Sequence, residues 1–127
     1  MRMKTTTDRV PSEAQEQKAL FEWAKYNERR YPALELLIHI PNEGKRSWQA
    51  GRELKAQGLK PGVPDIVLPV PNHHHTALWI EMKRRKEGRV SEAQKRMMFA
   101  LKKYGNMAVV CYGWEEARDV ILNYLRQ

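Results

Sequence analysis

The order of apolar runs along the chain predicts a mixed α/β domain with a four-stranded central sheet flanked by helices. Three features carry this reading. Helical stretches with N-capping residues alternate with short apolar runs of strand length. Two such runs, 66–70 and 77–83, flank a polar break, as in a β-hairpin with a longer loop. The runs 77–83 and 107–112 are joined by a helical stretch, which suits a parallel, right-handed crossover.

Size and charge narrow the classes. The 127 residues make one domain the natural count, with residues 1–10 polar and flexible and the folded part at 11–127. A hydrophobic content of 42% with four Trp excludes a wholly disordered chain. A net charge of +8 points to a polyanionic partner, nucleic acid first and a membrane surface second. Neither a hydrophobic span nor a secretory signal is visible, so a cytoplasmic location is expected. The single cysteine, Cys111, excludes an intrachain disulfide and suits a reducing compartment; set in an apolar run, it reads as a small buried residue.

Taken in order, Ser12 caps a first helix with Gln15 as its reciprocal partner, and the helix is expected to run to about Arg30. Leu20, Phe21, Trp23 and Ala24 give it an apolar stripe, and Glu13 and Gln17 share that face. An inward carboxylate either favours the positive helix terminus or reaches a site at the core's edge, and Glu16 competes with Glu13 for that place. Residues 34–40 read as a buried strand. The following loop, with Asn42, Lys45 and Arg46, is either a solvated turn or a phosphate clamp. A helix from Trp48 to about Gln57 ends at Gly58. His73, His74 and His75 fill the hairpin loop; adjacent side chains diverge and no Cys lies near, which argues against zinc. The run Arg84, Arg85, Lys86 and Arg89 is the densest positive patch, a solvated loop or a path for a nucleic-acid backbone. Ser91 caps the next helix with Gln94 as its partner, and Met97, Met98, Leu101 and Tyr104 form its apolar side. The last helix turns Ala117, Val120, Ile121 and Tyr124 inward.

The chemistry is concentrated at the hairpin. Side chains alternate along a strand, so Glu81 and Lys83 share one face while Leu78, Ile80 and Met82 share the other. With the two runs antiparallel, Asp65 lies opposite Glu81. Two carboxylates and a lysine then meet at one end of the sheet, where carboxylate oxygens suit a hard divalent cation and the lysine suits a phosphate or a water. The plainer reading is a surface hairpin with a cross-strand ion pair.

The combination Gly62-Val63-Pro64-Asp65, Trp79-Ile80-Glu81-Met82-Lys83 and Gly88-Arg89-Val90-Ser91-Glu92-Ala93-Gln94 resembles the VRR-NUC family, virus-type replication-repair nucleases of the PD-(D/E)XK superfamily. The resemblance extends from Ser12 to the end of the chain, and the stretch 41–46 is similar to one carried by small phage and bacterial members. It implies a restriction-endonuclease-like fold and a metal-dependent DNA endonuclease. Asp65, Glu81 and the Met82 backbone carbonyl would ligate Mg²⁺ or Mn²⁺. Lys83 would position or activate the attacking water. Glu13, or Glu16 in its place, would complete the acidic cluster through water, and Gln94 would orient groups in the site. Asn42, Lys45, Arg46, Arg84, Arg85, Lys86 and Arg89 would hold DNA. The compact form is similar to members acting as homodimers on branched DNA such as four-way (Holliday) junctions. The rival functions are a non-catalytic DNA-binding module of the same fold and an assembly protein with an acidic partner.

Overall fold

The computed structural model describes residues 9–41 and 48–127; residues 1–8 of the expected flexible segment, and the loop residues Asn42, Lys45 and Arg46, lie outside the described residues. The elements are α1 (Glu13–Tyr26), a 3-10 turn (Pro32–Leu36), β1 (Ile38–His39), α2 (Trp48–Ala56), β2 (Ile66–Leu68), β3 (Leu78–Lys83), α3 (Glu92–Lys103), β4 (Met107–Tyr112) and α4 (Trp114–Leu125). The four strands form one sheet in chain order, antiparallel across β1–β2–β3 and parallel between β3 and β4. This is the mixed four-stranded α/β architecture expected.

Strand alternation assigns two faces. Register sets Ile66 against Ile80 and Val109, and these side chains join Leu68, Leu78, Met82 and Cys111 in the main core with Leu20 and Ala24 of α1 and Ala117, Ile121 and Tyr124 of α4. Tyr124 ties that core to the loop after β2 by donating to the Val70 carbonyl at 2.6 Å. The other face carries Val67, Trp79 and Ala108 in register, with Glu81 and Lys83 further along β3. α3 packs against β4.

Several elements differ from expectation for local reasons. α1 stops at Tyr26, because the Asn27 side chain donates to the Trp23 carbonyl and the chain closes into a turn at Tyr31. The buried strand expected at 34–40 is instead a 3-10 turn seeded by Pro32 and a two-residue edge strand; Leu34 and Leu37 supply the burial while Ile38 and His39 are exposed. β2 ends before Pro69, which has no N–H for the ladder. On α3 only Met98 is buried, and Tyr104 points outward.

Cys111 is fully buried, and burial pushes its thiol up to about 12, with the charge of Glu116 adding to the effect. It should therefore stay protonated and closed to solvent at pH 8. A disulfide-exchange reagent such as DTNB should modify the native protein only at the rate of unfolding, and the urea-unfolded protein at once.

Candidate active site

The acid pair forms because hairpin register brings two sequence-distant residues level. The pairs Ile66–Ile80, Val67–Trp79 and Leu68–Leu78 extend by one position to set Asp65 opposite Glu81. Asp65 is a junction for three strands. Its Oδ2 accepts the Met82 N–H at 2.9 Å, and its carbonyl accepts the Ile40 N–H at 2.6 Å and lies 3.1 Å from His39 Nδ1. These contacts hold its carboxylate at the mouth of the hairpin.

Glu81 is 1% exposed and Lys83 8%, with Lys83 Nζ 3.8 Å from Glu81 Oε2. This is no solvated surface pair. Burying charges without compensation is costly, so a charged cluster of this kind signals chemistry more than stability. Met82 turns its N–H toward β2, so its carbonyl faces the same way. The residue opposite it on extending the register is Pro64, which has no N–H to offer that carbonyl. Register therefore sets the two carboxylates level at the start of β2, with the Met82 carbonyl on the side of β3 that faces β2, and hard oxygens of this kind suit Mg²⁺ or Mn²⁺. Among the described residues no group of three or more His, Cys, Asp or Glu side chains is placed to hold a metal ion, so the carbonyl and solvent would have to complete such a site.

The approach to Asp65 depends on Gly62. Its φ is +84°, and a Cβ there would come within 2.3 Å of the Ala93 carbonyl oxygen. The close contact lays this segment against the first turn of α3, which carries Gln94. Gln94 itself closes the helix cap, its Oε1 accepting the Ser91 N–H at 2.8 Å and its N–H donating to Ser91 Oγ at 3.1 Å.

The first-helix acids separate. Glu16 is the inward one, 2% exposed, whereas Glu13 and Gln17 are half-buried. Glu16 is engaged by residues just beyond the ends of β3 and β4. Its Oε2 accepts from Arg85 Nε at 2.7 Å and its Oε1 from the Trp114 N–H at 3.3 Å, which caps α4. Arg85 also reaches Glu115 at 3.0 Å. The bond to Glu16, and then that to Glu115, holds the guanidinium still more firmly in its charged form. Arg85 thus links α1, the loop after β3 and α4, with its side chain 42% exposed. Glu16 already accepts from both Arg85 and the Trp114 N–H. The Glu16–Arg85–Glu115 cluster escaped the sequence reading; its one local signal was an acid in the first turn of α4. Of the other loop cations, Lys86 and Arg89 are exposed and Arg84 is half-buried.

A domain built on this sheet, with an Asp and a Glu-x-Lys meeting at its end, has the form of a restriction-endonuclease-like nuclease. The family model of the VRR-NUC domain matches residues 6–115, and the chain belongs to that family. A solved structure described as a VRR-NUC domain protein is similar over 93% of this chain and 91% of that one, with 25% identity and a TM-score of 0.81. No match is found among curated proteins. Among the described residues no helix is long and apolar enough to cross a membrane.

Proposed function

We propose that the chain hydrolyses DNA phosphodiester bonds as an endonuclease dependent on Mg²⁺ or Mn²⁺, with Asp65, Glu81 and the Met82 carbonyl as the metal-holding set. The observation that supports this most is the buried Asp65/Glu81/Lys83 arrangement, with Lys83 Nζ 3.8 Å from the Glu81 carboxylate. Family membership and the charge of +8 agree with a DNA substrate.

A divalent cation bound there supplies Lewis acidity at the phosphoryl group. The residues of the chain do the rest. Asp65 and Glu81 fix their oxygens through the strand register and through the Met82 N–H. Lys83 brings a positive charge to the place where negative charge develops during attack, and orients the water. Gln94, pinned by its cap, offers its amide nitrogen from the first turn of α3. Glu13 would join from α1 through water. Lys86 and Arg89, with Asn42, Lys45 and Arg46, would follow the phosphate backbone.

We further propose selectivity for branched DNA and action as a homodimer, because a two-fold symmetric junction matches two symmetric sites. The test is a panel of labelled four-way junction, flap, duplex and single-stranded DNA with Mg²⁺, Mn²⁺ or chelator, with the molar mass of the protein measured in parallel. Paired symmetric cuts on the junction by a dimer are expected. Cleavage that ignores branching would contradict the selectivity, and binding without cleavage on any substrate would favour the non-catalytic module.

A further inference from the structure

We propose that α2 is a nucleobase-stacking arm: Trp48, backed by Arg52, takes an unpaired base of the DNA bound at the neighbouring site. The inference rests on the reading of the chain as a DNA nuclease and goes beyond it to what the substrate must offer.

Among the described residues, α2 has no buried residue and packs against no other helix or strand. Its amphipathic sequence is therefore not spent on the core. Trp48 is 72% exposed, and the Arg52 guanidinium lies 4.7 Å from its ring centroid. That pair forms a stacked aromatic-cationic unit on neighbouring turns. The stretch 48–60 carries Arg52, Lys55 and Lys60 against a single acid, Glu53, whose carboxylate accepts from the Gln57 side chain at 3.1 Å. Its charge is complementary to phosphate.

The Ile40 N–H and His39 Nδ1 both meet the Asp65 carbonyl, so the excursion that contains α2 leaves the sheet and returns to it at Asp65. Both ends of that excursion therefore lie at Asp65, and DNA held at the acid pair is what such an arm would meet. Bases within a duplex are already stacked on their neighbours, so an exposed indole gains most from a base at a branch, flap or gap. Stacking is indifferent to base identity, which makes the arm a sensor of unpaired structure and not of sequence.

The test is fluorescence anisotropy in chelator, so that no turnover occurs, on a duplex and on the same duplex carrying an unpaired flap. The wild type, Trp48→Ala and Trp48→Phe are compared, with circular dichroism as the check of fold. Trp48→Ala should weaken flap binding roughly tenfold and duplex binding less than twofold, while Trp48→Phe keeps most of the flap affinity. Equal losses on both substrates, or no loss on either, would overturn the arm. A change of oligomeric state with DNA binding unchanged would overturn it too, in favour of a second copy of the chain covering α2. A wild-type protein that binds neither DNA, in chelator or with Ca²⁺ in its place, sinks the nuclease reading itself, a result distinct from the others.

Discussion

Asp65→Asn should leave the protein folded, weaken divalent-cation binding and reduce cleavage by roughly a hundredfold to a thousandfold or more. Asparagine is the informative replacement because of what Asp65 does structurally. Its Oδ2 accepts the buried Met82 N–H, and an amide oxygen can keep that bond while losing the charge. Asp65→Ala would mix two effects, since it strands that N–H at a cost of about 1–3 kcal/mol. Calorimetric titration with Mn²⁺ beside a thermal melt separates them: the Asn variant should melt near the wild type and lose the heat of binding, and the Ala variant should lose both. Lys83→Ala should resemble Asp65→Asn in turnover while keeping DNA affinity, because its ammonium lies within the acid cluster and not on an open surface. Retained cleavage in that variant would remove Lys83 from the chemistry.

Arg85→Ala should behave differently: a loss of stability, with little change in the chemical step. Glu16 is almost wholly buried and Arg85 is its main counter-charge, with the Trp114 N–H the other partner. Removing one member of a buried pair costs roughly 3–5 kcal/mol; half exposure of Arg85 and the surviving N–H bond reduce that to about 2 kcal/mol. A chain of this length should then melt roughly 5–10 °C lower. Adding Glu16→Gln should restore part of the loss by removing the stranded charge. Arg89→Ala, on the exposed part of the same loop, should instead lower DNA affinity and flatten its salt dependence without moving the melting temperature. An Arg85→Ala variant of normal stability and weakened DNA binding would return Arg85 to the DNA-facing set.

These contrasts show what sequence could and could not convey. The Asp65–Glu81 juxtaposition was legible because a strand has a period of two and a hairpin has one register that buries Ile66, Leu68, Leu78 and Ile80. Both capping boxes were legible because they are made within four residues. The Glu16–Arg85 pair was not, because it spans 69 positions and each member already had a local explanation: an acid at a helix start, a cation in a basic loop. β1 was misread because alternating apolar residues look alike in a buried strand and in a 3-10 turn that buries only Leu34 and Leu37. The isolation of α2 was invisible for a related reason, since an amphipathic stripe does not say what will cover it.

Metal-dependent hydrolysis at the Asp65–Glu81 pair is the activity on which the other expected effects depend. The most direct measurement is the single-turnover cleavage rate of one labelled branched DNA by the wild type and by Glu81→Ala, each in Mg²⁺ and in chelator, with DNA affinity measured on the same samples. Cleavage by the wild type in Mg²⁺ alone, with the variant bound but silent, is the result expected. Equal cleavage by Glu81→Ala, or cleavage that persists in chelator, would place the chemistry elsewhere.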